Sequence, residues 1–182
     1  MKKSVLFLFA AVVITGAISL LSSCGKEVTT TYNVQNRELC IVAQPFASAT
    51  GFTQTDTIKQ ADLQAAFTAA SITYTESRIT SMVAKGFKLT VSGATTNLDG
   101  LAGAQVYIKK QGTSGDGEMI ASTSASPAAG ATTIDLNYNG TNLKSLLGTE
   151  SLIITLRAYN KDSSPAMCIK LTQGVVNFEL KK

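Results

Sequence analysis

Alternation of apolar and polar residues with a period of two constrains the fold of this chain more than any other feature of its sequence. Successive side chains of a β-strand point to opposite faces, so this pattern is typical of half-buried strands. Some segments show this alternation and others are short apolar runs. Turn-forming residues separate one segment from the next. These segments are 39–43, 87–91, 105–109, 134–138, 151–159 and 169–180. We therefore expect a mainly β chain, with a bulge at Gly174, where the last pattern is interrupted.

Two short helices are predicted between the strands. Thr57 and Gln60 have the spacing of a capping box, with Thr57 as the N-cap. An apolar stripe at helical spacing follows, made of Leu63, Ala66, Phe67 and Ala70. A second helix of about two turns is expected around Leu143, Leu146 and Leu147, ended by Gly148. Since no strand–helix–strand unit repeats, the pattern favours an antiparallel β-sandwich, immunoglobulin-like in outline.

The N-terminal segment has a different character. Lys2 and Lys3 precede an apolar stretch over 5–21, which is the pattern of a secretory signal peptide. The stretch ends in Leu21-Ser22-Ser23-Cys24, which resembles the lipobox of bacterial lipoproteins. A transmembrane anchor is the alternative, because about 17 apolar residues can just span a bilayer. A membrane span, however, does not require a cysteine at its boundary.

The lipobox resemblance implies cleavage before Cys24, a diacylglyceryl thioether on its sulfur, and acylation of the new amine, for example with palmitate. Several acyl chains together anchor a protein stably in a bilayer. In that family a residue such as Gly25 after the cysteine, rather than aspartate, favours transport to the outer membrane. Whether the protein then faces the periplasm or the cell surface is left undecided by the sequence. We expect a signal peptide over 1–23, the lipidated cysteine and a tether over 24–31, and one sandwich domain over 32–182.

Composition excludes several classes of function. The chain has no histidine, so it cannot build a Ser-His-Asp or Cys-His site or bind zinc through imidazole. Without Lys2 and Lys3 it has 14 basic and 12 acidic residues, which is not the basic footprint of a nucleic-acid-binding protein. Nucleophile motifs are also missing from the sequence. We expect no catalytic residue, no metal and no cofactor.

Two acidic loops are candidates for calcium binding. Asp116 and Glu118 lie in the glycine-rich stretch 112–118, and Asn97 and Asp99 lie in a second short stretch. Each offers too few oxygen ligands for a complete calcium site, and no phosphate-binding lysine follows the glycines. We expect 112–118 to be a hairpin turn before a strand at Met119, and the second stretch to be a simple turn.

Cys40 and Cys168 remain once Cys24 carries lipid. The compartment beyond the inner membrane is oxidising, so a bridge between them is one alternative. The other is two buried free thiols that act as small apolar residues, because each cysteine lies in an apolar run. Their distance in space decides between the two, and the sequence does not give it.

Asp56-Thr57-Ile58 resembles the acceptor of periplasmic O-glycosylation in some Gram-negative bacteria. An N-cap role for Thr57 explains the residue without any glycosylation. Tyrosines at 32, 74, 107, 138 and 159 can act as platforms in carbohydrate or peptide sites. Tyrosine is also simply a good strand former.

The sequence therefore indicates a non-catalytic lipoprotein of the cell envelope, which contacts the bilayer through Cys24 and binds a protein or a glycan through its sandwich. An envelope carrier of an apolar ligand is the first alternative, with the strand at 151–159 and the stripe of Leu63 and Phe67 lining a cavity. A small hydrolase that uses two carboxylates brought together in space is the second.

Overall fold

The computed structural model describes residues 27–34 and 38–181 of the chain. Within these residues it contains ten β-strands, one α-helix and two 3₁₀ turns. The strands are β1 (Glu27–Asn33), β2 (Glu38–Ile41), β3 (Phe52–Ile58), β4 (Ile79–Ser92), β5 (Leu101–Lys110), β6 (Glu118–Thr123), β7 (Thr133–Asp135), β8 (Asn137–Tyr138), β9 (Leu152–Asn160) and β10 (Met167–Lys181). Helix α1 is Gln60–Ala69, and the 3₁₀ turns are Glu76–Arg78 and Lys144–Leu146.

The strands form two antiparallel five-stranded sheets, which confirms the predicted sandwich. In sheet 1, β10 is central: β1 and β2 lie end to end along one of its edges, β4 lies along the other, and β7 follows β4. Sheet 2 has the order β3-β9-β5-β6-β8. Sequence neighbours are rarely sheet neighbours in this topology, so most of the strand pairing is between distant parts of the chain.

The space between the sheets is filled by the inward-facing residues of both. Helix α1 adds to this core through Leu63 and Phe67, and Phe67 is fully buried. The Phe67 ring packs edge-on against Tyr74 and Phe178, with centroid distances of 5.0 and 5.2 Å. Such aromatic pairs add about 0.5–1.5 kcal/mol each to the stabilisation from burial. The predicted stripe on α1 is therefore part of the closed core.

The expected N-cap at Thr57 is wrong, because Thr57 belongs to β3. All seven residues of β3 are paired with β9, from Phe52 opposite Ala158 to Ile58 opposite Leu152. A ladder of this length outweighs a single cap, and threonine suits an exposed strand face. Helix α1 begins three residues later than Thr57, where the Asp62 carboxylate accepts a hydrogen bond of 2.9 Å from the Lys59 backbone N–H.

The expected tether over 24–31 is too long, because residues 27–31 lie in β1. This strand pairs with β10 from Glu27 opposite Lys181 to Asn33 opposite Val175. Its threonines favour extended backbone, and the long β10 offers them an edge to pair with. The described domain therefore includes residues from 27 onward instead of beginning at 32.

The expected second helix is a single 3₁₀ turn. The Leu143 N–H donates to the Met82 carbonyl of β4 at 2.7 Å, and the Asn142 side chain accepts from the Lys144 N–H at 3.0 Å. The N–H groups of Leu146 and Leu147 then donate to carbonyls three residues earlier, and Leu147 is already extended (φ −67°, ψ 153°), so the chain leaves the turn before a second helical turn forms. The single strand expected over 134–138 is also divided, since β7 pairs with β4 in sheet 1 and β8 with β6 in sheet 2.

The expected irregularity at Gly174 is confirmed. The register between β10 and β4 shifts on both sides of Gln173. A Cβ atom at Gly174 would lie 2.8 Å from the Phe87 ring, so a larger residue would displace a buried aromatic side chain. The glycine therefore allows β10 to bend over the core without breaking the sheet.

Candidate functional site

Polar and aromatic side chains meet at the middle of the outer face of sheet 2. In β9 the buried residues alternate with Arg157 and Tyr159, and in β5 they alternate with Gln105 and Tyr107. Gln105 lies opposite Arg157 in the pairing of the two strands, so the four outward side chains share one area. Together with Asp116 from the β5–β6 hairpin, we call these residues the outer-face cluster.

Gln105 is the centre of this cluster. The phenol of Tyr107 donates a hydrogen bond of 2.7 Å to Gln105 Oε1, and the phenol of Tyr159 donates one of 2.9 Å to the same atom. Two hydroxyl hydrogens are thereby directed inward onto one amide oxygen. The phenol oxygens keep lone pairs with which they can accept hydrogen bonds from a ligand.

Arg157 closes one side of the cluster. Its Nη2 donates to Asp116 Oδ1 at 2.6 Å, and its guanidinium carbon lies 5.2 Å from the centre of the Tyr107 ring. The hydrogen bond to Asp116 raises the pKa of Arg157 further above its ordinary value, although burial acts in the opposite direction. Among the described side chains, Arg157 Nε is the one buried nitrogen or oxygen atom that has no hydrogen-bond partner. The side chain is thus fixed while one donor stays unused.

The β5–β6 hairpin brings Asp116 to this position. Lys109 Nζ donates to the carbonyls of Thr113 and Gly115, which folds the loop back toward β5. Gly117 has φ +91°, and a Cβ atom there would collide with the Ile108 carbonyl. A glycine is required at this point so that the loop can pass close to the strand. The expected hairpin turn is confirmed, except that Glu118 is already the first residue of β6; Asp116 is an ion-pair partner.

The second acidic loop is a turn, as expected. Asn97 Oδ1 accepts a hydrogen bond from the Asp99 N–H at 3.1 Å, and Asp99 Oδ1 accepts one from the Gly130 N–H at 2.8 Å. The Asn97 oxygen therefore shapes its own turn, and the Asp99 carboxylate joins this turn to the loop at Gly130.

The structure joins Cys40 and Cys168 by a disulfide bond. Cys40 of β2 lies directly opposite Cys168 of β10, with a Cα–Cα distance of 4.0 Å. The bridge links residues 128 positions apart in the chain. Glu38 completes a group of three potential metal ligands with these cysteines, and it is the one such group in 27–34 and 38–181. Because the sulfurs are bonded to each other, they cannot act as thiolate ligands in this state.

The other expected sites are apart from the outer-face cluster. Cys24 lies outside the described residues. Thr57 is exposed on β3, two pairs along the strand from Thr55 and opposite Ile153 of β9. Its backbone N–H donates a hydrogen bond of 2.8 Å to the Asp56 carboxylate.

The helix of the described region is too short and too polar to cross a membrane.

Two open pockets on the described surface bear on the expected carrier. One has a volume of about 440 Å³ and is lined by residues 172–175 of β10 and by Asn33 and Val34. The other, of about 410 Å³, lies between the end of α1 and Tyr74. Leu63 and Phe67 line neither of them.

Comparison with known proteins gives no relative: no family model, no curated protein and no solved structure matches the chain.

The sequence alone did not single out Gln105 or Arg157. Their signal is the pair of polar residues spaced two apart on the outer face of each strand, at 105 and 107 and at 157 and 159. That β5 and β9 are neighbours follows only from the fold, because about fifty residues separate the two segments.

Proposed function

We propose that this chain is a lipoprotein of the cell envelope, anchored in the outer membrane through Cys24, and that its sandwich is a non-catalytic binding module. The lipobox supports the anchor. Three of the described carboxylates, those of Asp62, Asp99 and Asp116, each accept a hydrogen bond from a nearby backbone N–H or from arginine, which supports a structural role for them. A carboxylate used in this way is part of the fold.

The outer-face cluster is the binding face in this proposal, and its ligand is a glycan. The convergence of two tyrosine hydroxyls on Gln105 Oε1 carries the proposal. It holds two rings and their oxygens in fixed places on an open sheet surface, beside the guanidinium of Arg157, which Asp116 holds in place. Sugars present both C–H faces, which pack on aromatic rings, and hydroxyls, which exchange hydrogen bonds with such groups.

Neighbouring residues on the same face favour a hydroxyl-rich ligand over a protein. Thr53 and Thr55 of β3 are exposed beside Arg157 and Thr155, so the polar surface continues toward the edge of the sheet. Of the exposed large apolar residues, Val42 and Phe46 lie in the loop after β2 and Tyr138 lies on β8; Met119, opposite Tyr107, is the one that borders the cluster. The centre of a stable protein interface is usually more apolar than this.

A glycan array screened with the full mature protein in detergent micelles tests the proposal. We expect retention of a defined class of envelope or extracellular glycan. Each of Tyr107→Phe and Tyr159→Phe then weakens binding by about two- to tenfold, the value of one neutral hydrogen bond.

Tyr138→Phe is the matched control, because Tyr138 is half exposed on β8 and lies outside the cluster. Its affinity should equal that of the unaltered protein. Equal losses in all three variants, or no retained glycan while crosslinking captures a protein on this face, would overturn the glycan assignment.

A further inference from the structure

The disulfide lies on the outside of sheet 1. Leu39 and Ile41 of β2 are buried, so Cys40 between them points to the opposite, solvent-facing side. Cys40 is exposed, and Cys168 across from it is half-buried. Disulfide bonds that serve only stability are usually buried, whereas exposed ones are more open to exchange.

The two cysteines are held very differently by their surroundings. Cys168 lies inside the sheet, where it pairs with Ser92 of β4 and its N–H donates to Thr95 Oγ1 at 2.7 Å. Cys40 belongs to an edge strand of four residues, whose described pairing is with β10 alone. The sulfur that an incoming thiolate can approach is therefore that of Cys40, and the sulfur that leaves is that of Cys168.

The rest of the fold does not depend on this bond for its pairing. β10 retains β4 along nearly its whole length and β1 along its second half when the bridge is open. Reduction should therefore loosen β2 and leave the sandwich intact. A bond that can open without global unfolding is accessible to exchange under native conditions.

We propose that Cys40–Cys168 is a thiol–disulfide exchange site for a protein that carries a vicinal dithiol. A thiolate of that protein attacks Cys40 Sγ, the bond between the two sulfurs breaks, and Cys168 leaves as a thiolate that takes a proton from water. The second thiolate of the partner then attacks the partner sulfur that is bonded to Cys40 in the mixed disulfide. Cys40 leaves as a thiolate and is protonated. The bridge gains two electrons and two protons, and the partner dithiol is oxidised to a disulfide.

Glu38 adds a selection rule to this site. It precedes Cys40 by two residues on the same face of β2, and its carboxylate lies within 4.8 Å of the sulfurs. A negative charge beside the bridge disfavours the approach of small anionic thiols by like-charge repulsion, and Lys170, opposite Glu38 in the pairing, offsets part of this charge. The fitting partner presents a neutral or positive surface around its dithiol.

The test uses the full mature protein, oxidised and without denaturant, with reduced thioredoxin as the probe. Thiols formed at Cys40 and Cys168 are alkylated with a mass tag and quantified by peptide mass spectrometry. We expect the rate to rise in proportion to the thioredoxin concentration and to exceed, by about tenfold or more, the global opening rate from hydrogen exchange of β9. A rate that equals global opening and does not depend on thioredoxin would overturn the proposal.

A trapping experiment identifies the attacked sulfur. Thioredoxin whose second active-site cysteine is replaced by serine cannot resolve the mixed disulfide, so the intermediate accumulates. We expect it to be attached to Cys40, and Glu38→Gln to increase the rate with glutathione more than the rate with thioredoxin. Attachment to Cys168 instead would overturn the assignment of the two roles.

Discussion

Asp116 and Arg157 lie 2.6 Å apart, and this contact fastens the β5–β6 hairpin to β9 across 41 positions of sequence. Both side chains are partly open to solvent, with 48% of Asp116 and 19% of Arg157 exposed. The contact orients the guanidinium over Tyr107 and so contributes to the geometry of the binding face. The contact should therefore mainly order the hairpin and the Arg157 side chain, and contribute less to the free energy of unfolding.

Asp116→Asn tests this interpretation. We expect a loss of about 0.5 kcal/mol in the free energy of unfolding, because ion pairs near the surface are screened by water. The larger effect should be faster hydrogen exchange of the hairpin over 111–117. Glu118→Gln, which changes a nearby exposed carboxylate that has no place in the cluster, serves as the control. Equal exchange rates in both variants would contradict a role for Asp116 in ordering the loop.

Alkaline pH should destabilise the fold through two tyrosines. Burial raises the pKa of Tyr32 and of Tyr74 above the ordinary value of 10.0, and nearby carboxylates add to the effect. Each folded-state pKa is raised, so the stabilisation is complete below pH 10.0 and is lost as the pH rises through the folded-state value. Urea unfolding at pH 8 to 11 should show this fall in stability, and Tyr32→Phe should make it smaller.

Phe67→Ala should be the most destabilising single change in α1. The ring is fully buried and contacts two other aromatic rings, so its removal leaves a cavity that the core cannot fill. We expect a loss of about 3–5 kcal/mol in the free energy of unfolding, measured by urea titration. Gln64→Ala on the exposed side of the same helix should change it by less than about 0.5 kcal/mol. Similar values for the two variants would mean that α1 is not part of the core.

Lipidation at Cys24 is expected from the lipobox. Cys24→Ser should abolish incorporation of an alkyne fatty acid and leave the precursor uncleaved or the protein free of the membrane fraction. Cys40→Ser is the matched control, since it removes a thiol that should carry no lipid. Unchanged labelling of Cys24→Ser would refute the assignment.

Thr57 gives a prediction on glycosylation. It is exposed on an edge strand, so a transferase could reach its hydroxyl after folding. In a host that uses this acceptor sequence, intact-mass analysis should show a glycan that Thr57→Ala removes. Thr55→Ala, two residues earlier on the same exposed face, should retain it. An unmodified mass for the unaltered protein in such a host would refute the prediction.

The strands that the sequence revealed are those whose inward side is apolar over most of its length, such as β5 and β9. Strand β3 was missed because its half-buried side carries Gln54 and Asp56, so no contrast in polarity marks the alternation. Most of β1 was predicted to be a tether, because its buried residues Thr30 and Tyr32 are hardly less polar than the exposed threonines between them. Local patterns identify strands from apolar contrast, and edge strands often lack it.

The outer-face cluster could not be predicted from the sequence for a different reason. Its tyrosines were visible as a residue type, but their meeting at Gln105 depends on the pairing of β5 with β9. Likewise, the facing positions of Cys40 and Cys168 depend on β2 joining the same edge of β10 as β1. Such juxtapositions arise from long-range topology, which single-segment patterns do not contain.

If Cys24 carries lipid, the early start of β1 limits how far from the bilayer this protein can act. Only the chain from Cys24 to Glu27 would separate the acylated residue from folded structure, and three residues span at most about 10 Å. A domain attached so closely would stand on the bilayer with the start of β1 at its base. β1 and β2 run along β10, whose fifteen residues extend about 50 Å, so the loop with Val42 and Phe46 would form the far tip. Ligands and redox partners would then have to come within about 50 Å of the lipid headgroups to be met.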